Sequence, residues 1–233
     1  MDYFYSPPPL IDSKSLTIEG DEYAHLSHVM RKAAGDSIRV VDGKGMVYDA
    51  TIVETGKRSA RCQITATHSR LNEPALDVTI GVALLKNASK FDFLVEKVTE
   101  LGVNAIVPLL TDHTIPRHAK VERWQKLALA AMKQSQRCVL PVVHPSLSLT
   151  DFLAQYSRSS HGFIFHEKSS RSLAGTQTIP AGSTIALCIG PEGGFSAGEI
   201  TTAVNQGFES VLLGTTRLRT ETAAIAAVVR VLS

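Results

Sequence analysis

The sequence predicts an α/β protein in which a parallel sheet flanked by helices follows a small antiparallel β domain. Three observations predict it. The residues up to about 70 hold short alternating segments joined by glycine-bearing turns. From about 74 onward, apolar strand-like runs alternate with helical patterns. Between them, HSRLNEP (68–74) reads as a linker, because Pro74 interrupts a continuing strand. The expected domains are therefore 1–72 and 73–233.

In the first part, DEYAHLSHVMRKAAGD (21–36) reads as one short helix ending near Gly35. SIRVV (37–41), the turn DGKG (42–45), MVYDATIVE (46–54), the turn TGKR (55–58) and SARCQITAT (59–67) predict hairpins of a small barrel or sandwich. The second part opens on LDVTIGVALL (76–85), apolar as a strand buried on both faces would be. Ser89 is placed to cap the next helix, in which Phe91, Leu94, Val95, Val98 and Leu101 recur at helical spacing until Gly102 ends it. AIVPLL (105–110) is a strand. Helices follow from about Val121 to Arg137 and around 149–157, then a strand at GFIF (162–165). TIALCI (184–189), a helix Ala197 to Gln206, VLLG (211–214) and a helix from about Glu221 to Leu232 complete the alternation, which implies parallel pairing.

Composition narrows the function. A net charge of +2 announces no polyanion partner by itself, so local clustering decides. Cys62, Cys138 and Cys188 are odd in number and far apart, which supports neither a disulfide framework nor a zinc site. The start MDYFYSPPPL has no basic segment leading into an apolar core, and no apolar run approaches spanning length. A reduced, cytoplasmic protein without a membrane partner or a metal is expected.

The stretch CIGPEGGFSAGE (188–199) carries the chemistry. It lies at the carboxyl end of a predicted strand, where open α/β sheets bind ligands. Ser196 and Glu199 form an S-x-x-E capping box that fixes the start of the next helix, so residues 190–195 must turn sharply. Glycine-rich turns of this kind also serve structure alone. A second irregular loop, from Gly214 through TTRL into RTETAAIAAVV, falls at the same sheet edge and points to a shared pocket. Neither a triphosphate loop (G-x-x-x-x-G-K-[ST]) nor a pyrophosphate loop (G-x-G-x-x-G) is present. The carboxylate of Glu192 beside the glycines repels phosphate but tolerates hydroxyls, amines or a cation. Adenosine attached to a sulfonium meets those terms.

IGPEGGFSAGE (189–199) and LLGTTRLRTETAAIAA (212–227) resemble the two C-terminal signatures of the SPOUT-class RNA methyltransferases. The resemblance is to the branch that makes N3-methyluridine in 16S ribosomal RNA of the bacterial small subunit. It extends over HLSHVMRKAAGD (25–36), KVTELGVNAIVPL (97–109) and segments within 123–137, nearly the whole chain. One departure is Thr216 and Arg217, where the family usually has an arginine and an aliphatic residue. The resemblance implies a C-terminal trefoil knot, a PUA-like N-terminal barrel, a homodimer and S-adenosyl-L-methionine as cofactor. Its cofactor pocket would comprise Ile189, Gly190, Pro191, Glu192, Gly193, Leu213, Gly214, Leu218, Arg219, Thr222 and Ala223.

The remaining candidates concern RNA and catalysis. Between Arg117 and Arg137 six Lys or Arg residues face one acid, Glu122, with His113 and His118 nearby. Such a cluster suits phosphate, and equally a solvated helix face. Arg31, Lys32, Arg123, Lys133 and Arg137 are the RNA candidates. His25 and His28 are read as packing or surface residues. Methylating uridine N3 creates negative charge over O2 and O4, for which Arg219 is the candidate stabiliser. A salt bridge from Arg219 to Glu192 or Glu221 is its structural alternative. Glu192 is a candidate proton acceptor, though binding cofactor polar groups suits it better. Thr220 and Thr222 suit capping of the last helix. The rival readings are a non-catalytic RNA-binding assembly factor and a SPOUT enzyme acting on another RNA.

Overall fold

In a computed structural model that describes residues 3–173 and 179–232, the chain folds as two units: Met1–Glu73 with Leu129–Leu140, and Pro74–Ala128 with Pro141–Ser233. The first unit holds β1 (Tyr3–Tyr5), β2 (Ser15–Glu19), α1 (Gly20–Ala24), β3 (Ser37–Val41), β4 (Met46–Thr55) and β5 (Ser59–Ser69). They form one curled sheet in the order β1-β3-β4-β5-β2, antiparallel except for the β1–β3 pair. Alternation places Leu16, Ile18, Ile38, Val40 and Ile52 in a core with Phe4. Register shifts at Asp49/Ala50 and Ile52/Glu54 bend the long β4–β5 hairpin. Neither β1 nor β2 was among the predicted strands.

The helix expected to reach Gly35 ends sooner. After α1 the chain widens into one π-helical turn, His25–Val29, in which the Met30 N–H reaches His25 O at 2.9 Å. Arg31 then turns left-handed (φ 52°), and the Asp36 carboxylate takes the Ala33 N–H at 2.8 Å. A left-handed residue stops a helix more firmly than the downstream glycine.

The second unit comprises β6 (Asp77–Ala83), α2 (Ala88–Leu101), β7 (Ala105–Leu110), α3 (Val121–Gln134, shared with the first unit), β8 (Val142–Val143), β9 (Leu147–Ser148), α4 (Leu149–Tyr156), β10 (His161–Phe165), β11 (Thr184–Ile189), α5 (Ala197–Asn205), β12 (Glu209–Val211) and α6 (Thr220–Leu232). The sheet is parallel throughout, in the order β12-β10-β11-β6-β7-β8, with β9 also on β7. Phe152 of α4 and Ala203 of α5 pack with Val107, Leu109, Ala186 and Phe208 in its core. Two local expectations shift. Asn87, not Ser89, caps α2, its side chain accepting the Ser89 N–H at 3.0 Å. The last strand ends at Val211, three residues before Gly214.

Residues 129–140 join the first unit because of a buried ion pair. The Arg137 guanidinium (2% exposed) donates to Glu73 Oε2 at 2.7 Å, and Glu73 Oε1 accepts the N–H groups of Cys138 and Val139 at 2.7 and 2.9 Å. Met132 and Cys138 close over Tyr3, Val41 and Val47. Removing one partner of such a pair strands a buried charge, at a cost of about 3–5 kcal/mol. Arg137, an RNA candidate by charge, is thus a buried structural residue, and its helix ends at Gln134 with Gln136 left-handed (φ 57°).

Candidate functional site

Parallel strands put all their carboxyl ends at one sheet edge, so the loops after β6, β7, β10, β11 and β12 gather there. The loop after β11 is braced from several sides. The Gly194 N–H donates to Pro191 O at 2.9 Å, closing a turn that places Gly194 at φ 70°, where glycine is favoured. A Cβ on Gly190 would lie 3.2 Å from the Phe195 ring, so this position is also sterically reserved. The capping box is complete: Ser196 Oγ accepts the Glu199 N–H at 3.2 Å, and Glu199 Oε2 accepts the Ser196 N–H at 2.8 Å.

Further braces come from the loop after β7. Glu199 Oε1 accepts the Asp112 N–H at 2.9 Å, while the Ser196 hydroxyl donates to Asp112 Oδ2 at 2.6 Å. His113 Nδ1 lies 3.0 Å from Gly194 O, and a Cβ on Gly193 would meet His113 Cβ at 3.2 Å. Below this turn, the buried Thr111 and Thr114 bond to each other.

The loop after β12 is different. Leu212 is anchored by its N–H to Arg171 O at 2.8 Å, but residues 214–219 are exposed. Arg217 reaches Glu192 O at 3.4 Å and Glu167 at 3.6 Å, with its side chain 75% exposed. At Arg219, the carbonyl accepts the Ala223 N–H at 2.8 Å to start α6. The Arg219 guanidinium has no hydrogen bond or ion pair among the described residues. Glu221 pairs instead with Lys90 of α2 at 3.2 Å.

Gly214 lacks any internal reason to be glycine. Its φ is outside the left-handed region, and a Cβ there would meet nothing within 4 Å. Open main chain opposite a rigid turn, with a carboxylate and no phosphate-binding lysine in either loop, fits a nucleoside carrying a cation. Ile189, Gly190, Pro191, Glu192 and Gly193 come to this edge with Leu213, Gly214, Leu218, Arg219, Thr222 and Ala223. Ile189 and Pro191 are buried, so their main chain faces a ligand more readily than their side chains. Thr220 is buried at the start of α6, while Thr222 is exposed.

Sequence reasoning missed a cleft of about 590 Å³ lined by Lys86, His113, Arg117, Glu192 and Gly193. The available signal was positional: Asp112 and His113 come two and three residues after a predicted strand's carboxyl end at Leu110. His166, at the end of β10, also lies on this edge, where burial lowers its pKa below the usual imidazole value.

The RNA candidates separate by environment. Arg31 is exposed and Lys32 half-buried in the turn after the π-helical segment. Lys133 is paired with Glu22. Arg123 (61% exposed) forks onto Asp92, with Nη2 at 2.8 Å and Nε at 3.1 Å, and Trp124 Nε1 shares that carboxylate. The Arg123 guanidinium holds the Asp92 carboxyl below its usual pKa. His25 sits edge-on to Phe4. All three cysteines are buried, and burial pushes the thiols up, to about 11 for Cys62 and about 12 for Cys138. Among the described residues no cluster of three His, Cys, Asp or Glu could hold a metal, and no helix is long and apolar enough to cross a membrane.

Comparison with known proteins adds a family. The RNA methyltransferase domain model matches residues 72–232, and the RNA methyltransferase PUA domain model matches 18–65. Ribosomal RNA small subunit methyltransferase E of Synechocystis is 33% identical over 96% of this chain and 75% of its own. Its Bacillus subtilis namesake is 28% identical over 92% and 88%. The crystal structure of the Neisseria gonorrhoeae namesake bound to S-adenosyl methionine superposes with a TM-score of 0.86, at 31% identity over 98% and 95% of the chains.

Proposed function

The chain belongs to the RNA methyltransferase family that includes ribosomal RNA small subunit methyltransferase E, and we propose that it methylates N3 of a uridine in 16S ribosomal RNA. The observation that carries this reading is the pairing of a rigid turn at 190–195 with open main chain at Gly214, on one edge of a parallel sheet. S-adenosyl-L-methionine supplies an electrophilic methyl group on its sulfonium. The main chain of 189–193 and 213–219 holds it, with Leu218, Thr222 and Ala223 along the wall. Glu192 takes up a hydroxyl or amine.

Arg219 stabilises charge developing on the uracil oxygens. Its guanidinium, without a hydrogen bond or ion pair among the described residues, supports that role. The PUA-like unit engages the RNA, with Arg31, Lys32 and Lys133 meeting phosphates of the small subunit, and Arg123 of the second unit is a separate phosphate contact. Arg137 has no part in this. The enzyme works in the cytoplasm as a homodimer. Exposed Val229, within α6, supports self-association. The C-terminal segment is threaded as a trefoil knot, as the family resemblance implies.

The test is methyl transfer from labelled S-adenosylmethionine to unmethylated small subunits, followed by nucleoside mass analysis. The expected product is 3-methyluridine. Binding of subunits with neither turnover nor a cofactor-dependent thermal shift would make the protein a non-catalytic assembly factor. A methylated transfer RNA or large-subunit RNA would move the substrate elsewhere.

A further inference from the structure

We propose that His113 is the proton acceptor of the reaction, and that the cleft it shares with Glu192 and Gly193 seats the target nucleotide. This rests on the uridine-N3 reading above. An imide nitrogen carries a proton that must leave as the new N–C bond forms, so the site needs a base with a free lone pair. The hydrogen bond to Gly194 O defines the ring. A carbonyl only accepts, so Nδ1 is the donor at 3.0 Å and the neutral imidazole keeps its lone pair on Nε2.

The ring is also held in place. Its neighbour Asp112 is bonded to both members of the capping box, and its Cβ rests against Gly193. The base is therefore fixed to the same loop that forms the cofactor wall. Other groups at the cleft suit other tasks. Lys86 and Arg117 are cations with donors only, suited to phosphates flanking a splayed nucleotide. Asp112 Oδ2 already accepts the Ser196 hydroxyl. Glu192 lines the same cleft, but no side-chain hydrogen bond among the described residues fixes its carboxylate as the Gly194 carbonyl fixes the His113 ring.

The step balances. The N3–H bond breaks and its proton passes to Nε2. The electron pair on N3 forms the bond to the methyl carbon, the S–C pair returns to sulfur, and the imidazolium releases its proton to water.

Two kinds of measurement test this. Nitrogen-15 spectra of histidine-labelled protein, with the resonance assigned by its absence in His113→Asn, are expected to show the Nδ1–H tautomer. The Nε2–H tautomer would overturn the proposal. His113→Asn keeps a donor for Gly194 O but no base, so kcat should fall on the order of 10²–10⁴-fold. S-adenosylhomocysteine affinity, by calorimetry, should stay within about twofold, because the donor that braces the turn remains. Added imidazole should raise the rate of His113→Ala in proportion to its concentration. His113→Asn turning over near the wild-type rate, a matching collapse of cofactor affinity, or absence of rescue would each overturn it. If wild-type protein makes 3-methyluridine and His113→Asn does too, only this assignment falls. A product methylated at an atom that bears no proton removes the parent reading as well.

Discussion

The loops after β11 and β12 face the same edge and are built on opposite principles. Residues 190–196 are tied by a turn bond, a capping box and two residues of the β7 loop. Residues 214–219 are exposed, and Arg217 provides their side-chain ties through two long, solvent-accessible contacts. One wall of the pocket is preorganised, so binding loses little entropy there. The other, exposed and lightly tied, is expected to gain order when a ligand arrives, and it carries Arg219, unpaired among the described residues. The difference teaches how work is divided under the proposed function: there the rigid turn sets position, and the open loop brings charge.

The sharpest way to break this division is Arg219→Ala. Loss of the charge stabiliser should lower kcat by about 10²–10³-fold, with thermal stability unchanged. Wild-type turnover in the labelled-methyl assay would remove the open loop from the chemistry. Hydrogen exchange tests the ordering directly. At S-adenosylhomocysteine one hundred times Kd, amides of 214–219 should gain protection of up to about a hundredfold, against little change at 190–195. Equal gains in both loops would erase the contrast. Ser196→Ala attacks the rigid side: loss of the cap should cost about 1 kcal/mol, which lowers Tm by roughly 2–4 °C. Cofactor affinity should weaken about fivefold in calorimetry. Smallest is Arg217→Ala, whose exposed contacts predict less than about a threefold change in cofactor affinity. A larger loss would show that this departure from the family pattern had become a true strut.

Legibility in the sequence followed the range of the interaction. The capping box of Ser196 and Glu199 was readable because both partners lie within one helical turn. The core face of α2, from Phe91 to Val98, was readable for the same reason. The braces from Asp112 and His113 to residues more than eighty positions away were not, since no local pattern announces a partner across two loops. Arg137 misled through its charge: its mate Glu73 is 64 residues distant, and a buried pair looks in sequence like two surface residues. Gly35 misled as a stop signal because a π-helical turn had already widened and ended the helix. β1 and β8 were too short to show a period.

Helix α3 starts in one unit and finishes in the other, with the change between Ala128 and Leu129. The amino-terminal unit is therefore not a contiguous cassette. A fragment ending at residue 73 would lack Met132 and Cys138 from its second core and leave Glu73 without its cation. Grafting this unit onto another enzyme, or swapping it between relatives to alter which RNA is chosen, requires carrying 129–140 along with it.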